Sequence, residues 1–263
     1  MPVRMLGSSL VPLTLSVHDW AHYTTMKGEV KMHTLLDYDS LLPEFVNITN
    51  GKVADNKAAF DIPVSPHSVV VADRGYCNHA LLNHWGSMNV FFAIRHKDNI
   101  RHGSIGELPL PEKHAQNVLI DEMIEFERDA ARRKYPKRLC RIAAWNDGHG
   151  HTVELPTDNF TLAASTIAQL HKARWQIGIF FHNLKQLLRI KSFIGTSSNA
   201  VEIQIWTALI TMLPLTRLKH IARYKWSLAN LVVSLRLNTF TKISLEKWLN
   251  EPFTPPLDYL DFE

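Results

Sequence analysis

The chain has 263 residues, enough for one large domain or two smaller ones, and its 46% hydrophobic content can fill a sizeable core. A formal charge of +4 permits nucleic-acid binding without demanding it, because what matters is where Lys and Arg cluster. Cys77 and Cys140 are the only cysteines, which excludes a disulfide framework or a CxxC metal site and makes reduced cytoplasmic thiols the expectation.

Residues 10–17, LVPLTLSV, read as a short strand with Pro12 near its start. A core strand so near residue 1 leads to the expectation that further sequence precedes it. Residues 30–37 and 42–49 read as two strands joined at Asp37–Ser40 in a hairpin. Asn50–Gly51 marks a turn, and 53–60 fits a short helix. Residues 68–72, SVVVA, form a nearly unbroken β-branched run, as expected of a strand buried on both faces. It runs into Asp73-Arg74-Gly75-Tyr76. An Asp there is either a cap for the following helix or a residue placed for chemistry, since open α/β sheets expose their sites at the carboxyl ends of strands. Residues 77–85 then read as a helix and 90–95, VFFAIR, as another strand.

Residues 109–155 look less regular and more charged. Their basic cluster RDAARRKYPKR, 128–138, is either a solvated face or a phosphate-contacting surface. Strands are expected at 139–145 and 152–155 around a turn at 146–150, and Asp158 or Asn159 is a candidate cap for a helix from about 162. Further helices are expected at 199–213, ended or kinked by Pro214, at 228–237 and at 244–249. Residues 251–263, with three prolines, read as a tail. Arg217, Lys219, His220, Arg223 and Lys225 break up the C-terminal apolar runs, which argues against a membrane span.

The stretch 171–193, HKARWQIGIFFHNLKQLLRIKSF, reads as one helix. Ile177, Phe181, Leu184 and Leu188 recur at three- and four-residue spacing, while His171, Arg174, Gly178 and Lys185 form a second stripe. Arg174 and Lys185 would present cations suited to phosphates. Gly178 is the odd member, costing about 1 kcal/mol of helix propensity relative to Ala. It marks either close backbone packing or simple tolerance of glycine, or a position where a functional side chain is missing.

Metal-assisted phosphodiester chemistry wants two or more carboxylates converging from separate strands and a helix. Asp73 is a good candidate. Asp19, Asp37, Asp39 and Asp55 are available, though turns and solvated surfaces explain them as easily. No P-loop, dinucleotide or Ser/His/Asp signature competes, and HDWAHY, 18–23, lacks a companion set of zinc-ligand spacings.

The segments DWAHYTTMKGEVKMHTLLDYDSLLPEFVNIT, GKVADNKAA, VVVADRGY, FFAIRHKDN and HKARWQIGIFFHNLKQLLRIKSFIGTSSNAVEIQIWTALI cover most of residues 18–215. Together they resemble the catalytic domain of bacterial insertion-sequence transposases of the IS4 group, DDE enzymes with an RNase H-like fold. The resemblance implies an α/β fold, a mixed sheet flanked by helices with an insertion before the catalytic helix. In that family a Tyr, an Arg, the catalytic Glu and a Lys share one helix at spacings of three, four and seven. Here Arg174 and Lys185 match, His171 stands at the Tyr position and Gly178 at the Glu position. Asp73 matches the second catalytic Asp. The first belongs on the first core strand, where LGSSL, 6–10, puts Gly7 in its place. Neither Glu154 nor Glu202 occupies the missing helix position.

By this resemblance, Asp73 is catalytic and holds metal, Mg²⁺ or Mn²⁺ where activity is retained, and Arg174 and Lys185 bind DNA. The core would comprise residues 1–108 and 159–250, with an inserted region at 109–158 and a tail at 251–263. The partners would be transposon ends and target DNA, with a further copy or an intact transposase as protein partner, in the bacterial cytoplasm and without a membrane. The implied function is DNA cleavage and strand transfer by a degenerate or truncated member. The alternative is a catalytically inactive DNA-binding or interaction protein derived from one.

Overall fold

The computed structural model describes residues 1–13, 28–97, 101–110, 118–137, 139–146, 152–187, 197–238 and 240–253. The expectations for 14–17, 18–23, 147–150, 188–193 and 254–263 lie outside these residues. The described residues form two units, one running to Phe180 and the other from Phe181 onward.

The first unit is built on a nine-stranded mixed sheet in the order β3-β2-β1-β4-β5-β9-β8-β7-β6. β1 (Val3–Leu13) is longer than its sequence suggests and begins ahead of Leu10, so that LGSSL is strand. Its partners explain the length. β1 pairs antiparallel with β2 (Gly28–Asp37) along ten positions and parallel with β4 (Val69–Ala72) from Val3 to Leu6. Pro12 falls near the end of β1, where its side chain is exposed. The expected hairpin forms between β2 and β3 (Pro43–Asn50), and Asp37 Oδ2 fixes its turn by accepting bonds from Ser40 N (2.8 Å) and Ser40 Oγ (2.7 Å).

β4 is buried on both faces, as its β-branched run predicts. Val70 and Ala72 pack with Leu6, Phe92 and Ile94 under helix α2 (His79–Ser87), which supplies Leu81, Leu82 and Trp85. Val69 and Val71 face the other way, against Ala164, Ile167 and Leu170 of helix α4 (Ala164–Ala173). The mixed sheet is thus flanked by helices on both faces. β5 (Phe91–Ile94) runs parallel to β4, with Ile94 opposite Ala72.

The stretch that reads as irregular is largely strand. β6 (His102–Glu107), β7 (Val118–Phe126), β8 (Leu139–Asn146) and β9 (Thr152–Thr157) extend the sheet, with β9 pairing against β5. Asp121, Glu122 and Glu125 dilute the apolar alternation of β7, which is why its strand character is hard to read. The basic cluster holds the short helix α3 (Asp129–Lys134). Arg132 there pairs with Glu125 (3.1 Å) and donates to the Phe126 carbonyl, so part of the cluster is structural.

The long helix expected from residue 171 is two. α4 ends at Ala173, α5 runs Trp175–Leu187, and Arg174 lies at the junction, where i→i+3 bonds join Arg174 N to His171 O and Ile177 N to Arg174 O at 3.1 Å each. Neither Asp158 nor Asn159 caps α4 directly. Asn159 Oδ1 instead holds the preceding turn by accepting from Leu162 N (2.8 Å) and Thr161 N (3.0 Å).

In the second unit, α6 (Ser198–Ile221) continues through Pro214, so that of the two expectations for the proline, an end or a kink, the end is corrected. Ser197 caps it by accepting from Ala200 N (3.2 Å). α7 (Leu228–Asn238) and α8 (Leu245–Asn250) follow. Trp226 stacks on Trp248 (5.3 Å) and donates from Nε1 to the Leu249 carbonyl (2.8 Å). Among the described residues, no helix is long and apolar enough to cross a membrane.

Candidate functional site

β1 and β4 are neighbouring parallel strands whose last register pair is Leu6 with Ala72. One residue further lie Gly7 on β1 and Asp73 just beyond β4. Gly7, midway along β1, therefore lies beside Asp73 at the carboxyl end of β4. Asp73 leaves the sheet in extended conformation, and its Oδ1 accepts from Gly75 N (2.7 Å), capping the 3₁₀ turn Arg74–Tyr76. The following helix α2 has its own cap, Asn78, which accepts from Ala80 N (3.0 Å) and Leu81 N (3.3 Å). Asp73 is thus not needed for that purpose. A side chain at Gly75 would meet Asp73 Oδ1 at 2.9 Å from its Cβ, so this close turn favours glycine.

Helix α5 reaches β1 at Gly7 through Ile177. A Cβ built on Gly7 would lie 2.8 Å from Ile177 Cδ1. Gly178, the next residue, is exposed, and a Cβ there would meet nothing within 4 Å. Close packing therefore does not account for a glycine at this helix position. Of the three positions Gly7, Asp73 and Gly178, only one carries a carboxylate.

The other stripe residues are divided by the break in the helix. His171 is on α4, Arg174 is at the junction, and Gly178 and Lys185 are on α5. Burial first, then the cations of Arg174 and Arg95, hold the His171 imidazole pKa down to about 3, so it is neutral at ordinary pH. His171 Nε2 and Arg174 Nε are both buried without a hydrogen-bond partner among the described residues. Burial also lowers the pKa of Lys185.

A second carboxylate that sequence reasoning left among the turns sits beside Asp73. Asp55, in the first turn of α1 (Asp55–Ala58), places Oδ2 3.4 Å from the Gly75 Cβ position, close to Asp73. Its Oδ1 accepts from Ser8 Oγ (2.8 Å) and lies 3.2 Å from Lys31 Nζ and 3.7 Å from His33 Nδ1. Lys31 and His33 alternate on β2, and His33 Nε2 lies 2.9 Å from Thr49 Oγ1. Burial lowers the His33 pKa against the pull of Asp55. The buried Tyr76 phenol is pushed up, by burial first and then by the Asp55 and Asp73 carboxylates. The i, i+2 spacing of Lys31 and His33 is the only signal in the sequence that could have flagged this group. Asp37 instead bridges to Arg4 (2.9 Å), and Asp39 lies in the hairpin turn.

A separate group could coordinate a metal: His96, just past β5, His102 on β6 and Glu154 on β9, whose ligand atoms all lie within 4.8 Å of one another. It includes none of Gly7, Asp73 and Gly178.

A family model described as a transposase DDE domain matches residues 10–213, and the chain belongs to that family, in its bacterial IS4 group. Similar proteins include a putative transposase, y4zB, of Sinorhizobium fredii, 29% identical over 79% of this chain and 58% of its own length. A probable transposase for insertion sequence element IS5377 of Geobacillus stearothermophilus is 27% identical over 80% of this chain and 54% of its own. A putative transposase for element IS4SA of Synechocystis is 24% identical over 85% and 63%. The chain thus spans little more than half the length of these relatives. Gly7 precedes the matched residues.

Proposed function

We propose that this chain is the core of a DDE-type transposase, RNase H-like in fold, that binds DNA in transposition but carries an incomplete catalytic set. The observations that support the reading are the strand register, which sets Gly7 beside Asp73, and the contact that brings Ile177, next to Gly178 on α5, against Gly7. A DDE site needs a carboxylate at each of those places. In this reading Asp73 is the remaining catalytic carboxylate and metal ligand, with Mg²⁺ or Mn²⁺ as the cation of the complete site. Such a cation supplies charge stabilisation to the attacking and leaving oxygens of a phosphodiester.

Among the described residues, those at the three positions do not furnish the two-metal set. Gly7 and Gly178 offer no ligand, and Asp55 is engaged by Ser8 and Lys31. Arg174 and Lys185 would hold backbone phosphates, which positions DNA without reading its bases. Residues 109–158 would act as the inserted region between Asp73 and the helix, in a protein working in the bacterial cytoplasm on transposon ends and target DNA.

The test is Mg²⁺- or Mn²⁺-dependent nicking of DNA carrying candidate transposon ends. Wild type should not nick, a Gly7→Asp, Gly178→Glu variant should gain nicking, and adding Asp73→Ala should abolish it. Nicking by wild type that disappears in Asp73→Ala would refute the incomplete site.

A second reading, an inactive interaction protein derived from a transposase, is favoured by one feature of α6. Ile203, Trp206, Ile210 and Leu213 recur at helical spacing and are exposed, opposite the buried Val201, Ile205, Ala208 and Met212. Such an apolar stripe suits a second copy or an intact transposase as partner. Light scattering of the purified chain, with and without such a partner, distinguishes this reading through the mass of the complex.

A further inference from the structure

We propose that His96, His102 and Glu154 form a three-ligand site for a zinc-class divalent cation that ties the edge strand β6 to β9. The inference does not rest on the transposition reading. Three observations carry it.

The first is topological. In the sheet order β9-β8-β7-β6, three strand spacings separate the strand of Glu154 from that of His102. In a flat sheet that is about 14 Å. Yet His102 Nε2 lies 3.8 Å from Glu154 Oε2. This half of the sheet therefore curls enough to bring these side chains together.

The second is geometric. His96 Nδ1 is also 3.8 Å from Glu154 Oε2, so two imidazole nitrogens, one on β6 and one just past β5, approach one carboxylate oxygen. Neither separation is a hydrogen bond. Bonds of 2.0–2.2 Å in a tetrahedral shell put neighbouring ligand atoms about 3.4 Å apart, so these separations need to close by only a few tenths of an ångström. The backbone already fixes half of the arrangement, because His96 N donates to the Glu154 carbonyl (2.8 Å). The imidazoles of His96 and His102 also meet edge to face at 5.1 Å.

The third is the chemistry of the donors. Two imidazoles and one carboxylate suit zinc and its neighbours, whereas Mg²⁺ prefers an all-oxygen shell. Three protein ligands leave a fourth position for water. The site thus differs in metal class from the carboxylate site expected around Asp73.

The experiment uses the full chain purified without a histidine tag. Zinc binding is measured by equilibrium dialysis in excess Mg²⁺, and Co²⁺ substitution is followed by visible absorption. The expected result is one zinc per chain, tetrahedral cobalt bands, and a Tm raised by zinc. His102→Gln and Glu154→Gln should each weaken binding by about tenfold or more, since loss of a mere outer-shell partner already costs that much. Both variants should retain the far-UV circular dichroism of wild type, and Asp73→Ala should bind zinc as wild type does. No zinc binding by wild type, binding that survives both substitutions, or displacement by equimolar Mg²⁺ would each overturn the proposal.

Discussion

The side chain of Ile177 occupies the space beside Gly7: a Cβ on Gly7 would come within 2.8 Å of Ile177 Cδ1 and 3.1 Å of its Cγ2. The two glycines at the site are therefore unequal. Gly178 faces open space on an exposed helix surface, so Gly178→Glu should stabilise the protein by about 0.5–1 kcal/mol through helix propensity. Gly7→Asp must displace a methyl group and bury a carboxylate, and should cost about 1–3 kcal/mol. Ile177→Val removes the closest atom and should recover part of that loss. Denaturant unfolding of the single and double variants measures the coupling. Additive effects would show that Ile177 does not control the position.

Gly178 also shows how far the sequence could be read. Its place within the spaced Arg174 and Lys185 signature was legible, as were β4, the β2–β3 hairpin and Asp73 at a strand end. What was not legible depended on contacts distant in the chain. The start of β1 is set by pairing with β2 and β4, not by its own alternation. The break at Arg174 carries no Pro or Gly to announce it. Asp55 reads as an ordinary turn residue until Ser8, Lys31 and the Asp73 turn surround it. His96 lies just past β5, His102 on β6 and Glu154 on β9, 52 residues beyond His102, and only the curl of the sheet brings them together.

If Arg174 and Lys185 bind phosphate, their removal should be felt as lost counterion release. Arg174→Gln and Lys185→Gln should each weaken DNA binding about uniformly across sequences. Each should also reduce the slope of log affinity against log salt by roughly 0.7–0.9. Fluorescence anisotropy over a salt series gives both quantities. An unchanged slope would remove that residue from the DNA interface.

His171 gives a pH dependence with a definite sign. Its pKa is about 3 in the folded protein against 6.5 as the reference value, so the unfolded chain binds the proton more readily between those limits. The neutral imidazole's contribution is fully present above pH 6.5 and is lost as pH falls toward 3. The loss from this residue amounts to up to about 5 kcal/mol. His171→Phe keeps a ring without a titrating group and should flatten the stability profile over that window. Unfolding free energies of both proteins at a series of pH values check the difference.

Asp158 has the opposite sign. Burial pushes its carboxyl up to about 6 from 3.8, although Phe92 N donates to Oδ1 (3.1 Å) and Lys137 helps to hold the charge. The folded protein therefore retains the proton better than the unfolded chain. Stability is greatest below pH 4 as far as this group is concerned, declines as pH rises from about 4 to 6, and then levels off. Asp158→Asn preserves the acceptor for Phe92 N and removes the buried charge. It should leave stability little changed at pH 4 and raise it by about 1–3 kcal/mol at pH 7. Equal effects at the two pH values would mean that the Lys137 ammonium already compensates the charge in the folded state.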